Sequence, residues 1–193
     1  NLIHDREAIM LYSPTGVGKT WLSLAIAMIV AGRGKLDLLD WENEDPQPVC
    51  YVDGEMLEED MQKRIKMLIP SLNIDEEELR KNFRYLSRVS QKEEIEDFLS
   101  LELKENQLEL LKWLKDNSGK GKHPLLVLDN LSNLAELGDE NSSGQMQSFN
   151  MMVTKARKFG CSMVTVHHTG KSMTVGPDGI PTSRGSYDMA TRL

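Results

Sequence analysis

The sequence predicts an α/β fold in three layers, with a mostly parallel central sheet and helices on both of its faces. Five short apolar runs alternate with helical patterns, which is typical of parallel strands joined by crossover helices. A glycine-containing turn joins the first run to a helix, and polar side chains end three of the runs. With 193 residues, the chain is expected to form one domain over residues 1–193 that is truncated at its C-terminal end.

The strands are predicted from continuous apolar runs, which are expected where both faces of a strand are buried. The first strand covers residues 8–12, and the helix after it begins near Trp21 and ends at Gly32, a residue type that commonly ends helices. The other predicted strands cover residues 48–53, 83–86, 125–129 and 162–167.

Two further helices are predicted between the strands. One covers residues 58–69 and is stopped by Pro70, and the other covers residues 93–115, where leucines and aromatic residues at helical spacing indicate a packing face. Acidic runs near the helix starts are favoured by the helix dipole, so we interpret them as solvated helix ends rather than binding sites. Long connectors at residues 136–144 and 169–184 have a length that is typical of functional loops.

Composition narrows the possible partners. The net charge of −7 argues against a protein that binds nucleic acid with its whole surface, so any such contact must be local. The longest apolar stretch, residues 21–31, is too short to cross a bilayer, so no membrane partner is expected. Cys50 and Cys161 lie in apolar runs without metal-type spacing, which predicts buried free thiols and suits a reducing cytoplasm.

The turn after the first strand matches the phosphate-binding pattern G-x-x-x-x-G-K-[ST], with Ser13 in place of the first glycine. Its sequence is Ser13-Pro14-Thr15-Gly16-Val17-Gly18-Lys19-Thr20. A strand that turns into a helix points unpaired N–H groups at one spot, and Gly16 and Gly18 let the backbone approach phosphates there. Lys19 supplies a cation, and Thr20 a hydroxyl for Mg²⁺. The alternative is a chance glycine-rich turn.

Carboxylates follow two other strands, and ligands of open α/β sheets collect at the carboxyl ends of strands. Asp129 ends the fourth strand and is predicted to hold Mg²⁺ opposite Thr20; a cap or turn former is the alternative. Glu55 follows the second strand and is the candidate base that polarises water, with Asp53 as runner-up. A helix N-cap box over residues 53–58 is the alternative for this pair.

Two histidines, His167 and His168, end the fifth strand. A neutral imidazole there can hydrogen-bond a γ-phosphate and report its loss to the loop that follows. The alternative is one satisfied structural histidine and one exposed histidine. Because no His or Cys partner stands at ligand spacing, zinc is not expected.

These elements together resemble a known family. They are Ser13 to Thr20, Tyr51-Val52-Asp53-Gly54-Glu55-Met56, Leu126-Val127-Leu128-Asp129-Asn130, and His167-His168-Thr169-Gly170-Lys171 followed by Ser183-Arg184-Gly185-Ser186. In this order they resemble the RecA-like P-loop ATPase core and, within it, the RepA-type hexameric replicative helicases. The resemblance implies ATP and Mg²⁺ bound between subunits of a homo-oligomeric six-membered ring, with single-stranded DNA threaded through its centre.

The resemblance also implies residue roles. Lys19 and Glu55 act in catalysis, His168 senses the γ-phosphate, and Arg184 reaches into the neighbouring subunit's site as an arginine finger. The implied nucleotide-binding set is Ser13, Pro14, Thr15, Gly16, Val17, Gly18, Lys19, Thr20, Trp21 and Asp129, of which Thr20 and Asp129 serve the metal. The two long connectors correspond to DNA-binding loops, although the first is acidic and the second has few cations.

Two other functions fit parts of the pattern. The first is an ATP-switched assembly or scaffold of the RecA or KaiC type that does not move DNA, and the acidic net charge favours it. The second is a small-molecule phosphotransferase, which needs a basic lid over its substrate that is not apparent in the sequence.

Overall fold

The computed structural model describes residues 3–91, 100–135, 143–168, 174–175 and 181–182. The strands are β1 (Ala8–Ser13), β2 (Lys35–Leu36), β3 (Trp41–Glu42), β4 (Val49–Asp53), β5 (Phe83–Ser87), β6 (Leu125–Asp129), β7 (Ser162–His168), β8 (Thr174–Val175) and β9 (Pro181–Thr182). The helices are α1 (Lys19–Ala31), α2 (Glu58–Ser71), α3 (Glu76–Asn82), α4 (Lys104–Asn117), α5 (Leu131–Leu134) and α6 (Ser143–Lys158), with a 3₁₀ turn at Asp37–Leu39.

The central sheet has five parallel strands in the order β1-β7-β6-β4-β5. This confirms the predicted α/β fold with a parallel sheet and helices on both faces. Each of the five predicted strands is present, and each predicted end lies within one residue of the observed end. Two short antiparallel pairs, β2 with β3 and β8 with β9, were not predicted.

Side chains of the central strands alternate between two apolar clusters. Leu126 and Leu128 of β6 pack in a cluster with residues of α4 and α6, whereas Leu125 and Val127 pack in the other cluster with α1. In β4, Tyr51 lies on the α1 face, fully buried. Asp53 and Asp129, the last residues of β4 and β6, follow the same alternation, so their side chains lie on the α1 side of the sheet.

Two of the predicted helix boundaries are wrong. The helix expected to stop before Pro70 continues to Ser71, because a proline in the last turn lacks only one N–H donor, and Leu72 still donates to the Leu68 carbonyl at 3.0 Å. Of the helix expected over residues 93–115, residues 93–99 lie outside the described residues, residues 100–103 are not helical, and the described helix begins at Lys104. Before it, Leu101 is buried and its N–H donates to Leu134 at 2.6 Å, which holds the chain in a turn.

Other expectations concern the surface and the cysteines. The acidic runs begin α2 at Glu58 and α3 at Glu76, as expected for solvated helix ends, and Asp75 caps α3 by accepting from the N–H groups of Glu77 and Glu78. Cys50 and Cys161 are free and buried. Within the described ranges, none of the helices has the length and apolar character needed to cross a membrane.

Candidate functional site

The turn after β1 lies between a strand and a helix, as predicted. Ser13 is the last residue of β1 and Lys19 is the first residue of α1. Gly16 and Gly18 have φ angles of 88° and 96°, which side chains with a β-carbon rarely adopt. No atom lies within 4 Å of a β-carbon added at either position, so it is the backbone conformation that requires glycine there.

The Lys19 side chain points into this loop. Its ammonium donates to the carbonyl oxygens of Ser13 at 2.7 Å and Pro14 at 2.8 Å, and the residue is only 8% exposed. Burial lowers the pKa of Lys19, while the nearby carboxylates of Asp129 and Glu55 act against that shift. The loop thus surrounds a cation whose present partners are neutral carbonyls.

Parallel pairing brings the predicted strand-end residues to one edge of the sheet. Asp53 pairs in register with Asp129, and Ser13 pairs with His168. Since β7 and β6 lie between β1 and β4, the loop after Ser13 and the two aspartates flank the same space. The structure therefore gathers the residues that the sequence placed at three separate strand ends.

Asp129 is 5% exposed, and three hydroxyl groups lie near its carboxylate on the α1 side of the sheet. The Tyr51 hydroxyl donates to its Oδ2 at 2.6 Å, the Ser23 hydroxyl oxygen lies 3.4 Å from the same Oδ2, and the Thr20 hydroxyl lies near enough to affect the pKa of the carboxyl. Burial raises the pKa of Asp129, and the hydrogen bonds from Tyr51 and Thr20 act in the opposite direction. These hydroxyls favour the ionised form of a carboxyl whose burial acts against ionisation.

This donor set fits Mg²⁺. A carboxylate and a hydroxyl are hard oxygen ligands, and Mg²⁺ is usually held by one or two protein groups together with water and phosphates. In the described part of the chain, no three His, Cys, Asp or Glu side chains come close enough to hold a metal ion by themselves. Asp129 and Thr20 therefore suit a cation that takes its other ligands from outside the protein.

Glu55 projects from the turn after β4 and is held by two amides. Its Oε1 accepts from Nδ2 of Asn133 at 2.9 Å and from Nδ2 of Asn130, and His168 Nε2 lies 3.8 Å away. The Glu55 side chain is 51% exposed. Sequence reasoning assigned no role to Asn130 or Asn133; the position of Asn130 directly after a functional aspartate is the signal that could have indicated one.

Asp53, the alternative base, is bound to its own turn. Its Oδ1 accepts from the N–H groups of Glu55 and Met56, each at 2.7 Å, and the residue is 1% exposed. Burial raises the pKa of Asp53 to about 6. The alternative of a helix N-cap box does not describe this pair: α2 begins at Glu58 after Leu57, without a side-chain cap, so Asp53 stabilises the turn before the helix.

The two histidines face opposite sides of the sheet, following the alternation along β7. His167 is 2% exposed, its Nδ1 lies 3.3 Å from the Ser132 hydroxyl, and burial lowers its pKa to about 4. His168 lies on the side of the phosphate loop, beside Glu55. Among the described residues, His167 Nε2 and His168 Nδ1 have no hydrogen-bond partner, so the alternative of one satisfied and one exposed histidine does not describe them.

Of the two remaining predicted site residues, Trp21 and Arg184, only Trp21 lies within the described residues. Trp21 is 36% exposed, and the Arg64 guanidinium of α2 lies 4.9 Å from the centre of its ring. Arg184 lies outside the described residues, as do residues 136–142 of the first long connector and most of the second. The roles of Arg184 and of both connectors stay predictions.

Comparisons with known proteins agree with this geometry. A family model described as an AAA domain matches residues 1–173. A KaiC-like protein from the archaeon Pyrococcus horikoshii OT3 shares the fold with a TM-score of 0.59 and 14% identity over 96% of this chain and 70% of its own. The RadB recombinase shares it with a TM-score of 0.56 and 16% identity over 97% of this chain and 71% of its own. No curated protein matches the chain significantly by sequence.

Proposed function

The chain belongs to the AAA domain family and has the fold of a RecA-like P-loop ATPase, and from this premise we propose that it binds ATP with Mg²⁺ and hydrolyses it. The observation that supports the proposal is the convergence of Lys19, Asp129 and Glu55 at the carboxyl edge of the sheet. They supply, in one place, a cation for phosphate, an oxygen ligand for a metal ion and a carboxylate open to solvent.

Binding of the triphosphate would use the loop of residues 13–20. The N–H groups at the start of α1 and the dipole of that helix favour an anion, and Gly16 and Gly18 keep the backbone clear of side chains. We expect the Lys19 ammonium to leave the carbonyls of Ser13 and Pro14 for phosphate oxygens. That exchange is favourable because a charge-assisted hydrogen bond to an anion is stronger than one to a neutral carbonyl.

The metal ion would be held by Thr20 and Asp129. When bound, Mg²⁺ neutralises charge on the phosphate oxygens. The protein's own contribution is to keep Asp129 ionised in a buried position, through the hydroxyls of Tyr51, Ser23 and Thr20.

Glu55 is the group best placed to accept a proton from attacking water. Its side chain reaches solvent, and Asn130 and Asn133 hold its Oε1 in place. Asp53 is unsuited to this task, because its Oδ1 is occupied by two backbone N–H groups and almost none of it is exposed. His168 adjoins Glu55 on the loop side, where a neutral imidazole can hydrogen-bond the γ-phosphate.

The test compares Glu55→Gln with Asp53→Asn. Loss of a general base costs about 10²- to 10⁴-fold in rate, so Glu55→Gln should bind a fluorescent ATP analogue normally while its phosphate release falls by that factor. Asp53→Asn keeps both acceptor contacts of the turn and should retain turnover. Normal hydrolysis by Glu55→Gln would refute the assigned base, and loss of both activities in both variants would indicate that the turn is needed only for structure.

The finer proposal is a ring-forming replicative helicase that moves single-stranded DNA. Its support is the order of the RepA-type elements, from the phosphate loop through His167 and His168 to Arg184, on which the resemblance rests. In that arrangement each site takes a residue from the neighbouring subunit, so ATP turnover should depend on assembly. The DNA contact would be local, since the net charge is −7.

A second candidate is an ATP-switched assembly that does not act on DNA. The acidic net charge favours it, and the KaiC-like fold neighbour is compatible with it. ATP turnover measured with and without single-stranded DNA, together with a native mass, separates the two. A motor should be stimulated by DNA and form a hexamer, whereas a switch should assemble with ATP and show the same turnover with or without DNA.

A further inference from the structure

A tyrosine lies beneath the proposed metal site, fully buried between the sheet and α1. Tyr51 is 0% exposed, and its ring packs beside Phe83 and Tyr85 of β5, with ring centres 6.3 and 6.2 Å away. A phenylalanine would fill the same apolar space. Burying a hydroxyl is costly unless it is hydrogen-bonded, so the partners of this hydroxyl indicate what it does.

Those partners, within the described residues, are Ser23 and Asp129. The Tyr51 oxygen lies 2.6 Å from Oδ2 of Asp129 and 2.8 Å from the Ser23 hydroxyl oxygen. An ionised carboxylate can only accept, so the single Tyr51 proton is donated to Asp129. In the contact between the two hydroxyls Ser23 is then the only possible donor, and the Thr20 carbonyl at 3.1 Å is a second acceptor for the same proton.

The contacts therefore run from Ser23 through Tyr51 to Asp129. Ser23 itself is 0% exposed and stands three residues after Thr20 in α1, with its hydroxyl 3.1 Å from the Thr20 carbonyl. The helix that presents the Thr20 hydroxyl therefore also positions Tyr51. The N-terminal part of α1 thus positions both proposed metal ligands: Thr20 belongs to it, and Asp129 is linked to it through Tyr51 and Ser23.

We propose that Tyr51 is a positioning residue for Mg²⁺ binding: its hydroxyl fixes Oδ2 of Asp129, which leaves Oδ1 available to Thr20 and to the metal ion's water shell. Ser23 acts through Tyr51 by orienting its hydroxyl. The inference rests on the proposed role of Asp129 in holding Mg²⁺. A short O–H···O⁻ bond is among the stronger side-chain contacts, so removing it should loosen the carboxylate measurably.

The test uses Tyr51→Phe, with Tyr85→Phe as the matched control. Tyr85 is the register partner of Tyr51 on β5, and its hydroxyl contacts the Met56 carbonyl at 3.3 Å instead of Asp129. Equilibrium binding of a fluorescent, non-hydrolysable ATP analogue is measured with Mg²⁺ and with EDTA. We expect Tyr51→Phe to reduce the Mg²⁺-dependent gain in affinity about tenfold, equivalent to about 1.4 kcal/mol, and to leave the affinity in EDTA unchanged.

The control and the remaining outcomes decide the matter. Tyr85→Phe should keep the full Mg²⁺-dependent gain in affinity, because its hydroxyl contacts the Met56 carbonyl. The measurement in EDTA identifies a merely structural loss, because such a loss would lower the affinity without Mg²⁺ as well. An unchanged gain in Tyr51→Phe overturns the inference. If Tyr51→Phe does not fold, Ser23→Ala should show a smaller reduction in the same direction, and no reduction overturns the inference. A wild-type chain that gains nothing from Mg²⁺ refutes the proposed metal role itself.

Discussion

Replacing Asp53 by asparagine should make the protein more stable at neutral pH. The Asp53 carboxyl is 1% exposed, and its Oδ1 accepts from two backbone N–H groups at 2.7 Å. Asparagine offers a carbonyl oxygen to the same two donors and is almost the same size. The substitution therefore removes a buried negative charge, which also lies near the carboxylates of Asp129 and Glu55, without removing the turn's acceptor.

The magnitude follows from the pKa of Asp53, which burial raises from 3.8 to about 6. An acid whose pKa is higher in the folded state binds more protons there than in the unfolded state, so stability falls as the pH rises between the two values. A rise of roughly two units corresponds to about 3 kcal/mol. This penalty is absent below about pH 4, grows up to about pH 6 and is complete at pH 7, and Asp53→Asn should be free of it.

The assay is urea unfolding of both proteins between pH 4 and pH 8, without nucleotide or Mg²⁺. The free energy of unfolding of Asp53→Asn minus that of the wild type should increase by about 3 kcal/mol from pH 4 to pH 7. Asp53→Ala, which lacks the acceptor, should be less stable than Asp53→Asn at every pH. A difference that does not change with pH would refute the reasoning, because it would mean that the buried carboxyl pays no cost for its charge.

Two further predictions concern the loop and the base. Lys19→Ala should lose affinity for a fluorescent ATP analogue by about 100-fold or more, as expected for loss of charge-assisted bonds to phosphate, whereas Lys63→Ala, which breaks an exposed ion pair with Asp60, should bind normally. Asn133→Ala removes one donor to Glu55 and should lower ATP turnover several-fold at unchanged nucleotide affinity; an unchanged rate in a phosphate-release assay would show that this amide does not orient the base.

The strands could be predicted because burial on both faces leaves a plain signal in the sequence. Residues 125–129 consist of four aliphatic side chains and an aspartate, and the strand occupies that same run. The helix boundaries depend on contacts that no local pattern reveals. Residues 100–103 lie inside the predicted helical pattern, but the Leu101 N–H is bonded to the Leu134 carbonyl, 33 positions further along the chain, and this long-range contact overrides the local preference there.

The site was predictable where it depends on parallel strands ending together. Thr20 and Asp129 were expected to lie near each other because one follows the first strand and the other ends the fourth, and the Thr20 hydroxyl is near enough to affect the pKa of Asp129; their role in holding a metal ion stays a prediction. Tyr51 was missed because its partner lies 78 residues away and its own strand is continuously apolar. Strand alternation contains the missing signal: Tyr51 stands two residues before Asp53 and so faces the same side of the sheet.

The choice between Asp53 and Glu55 shows why sequence reasoning left two candidates open. As the chain leaves β4, Asp53 takes up the next N–H groups, which fixes the direction in which Glu55 projects. At Gly54 an added β-carbon would lie 3.0 Å from the β-carbon of Asn133, a tight contact, so glycine favours this close approach of α5. That approach is what brings the Asn133 amide to Glu55. The three residues thus have separate tasks, and the task of Glu55 depends on a helix that begins 76 residues later in the chain.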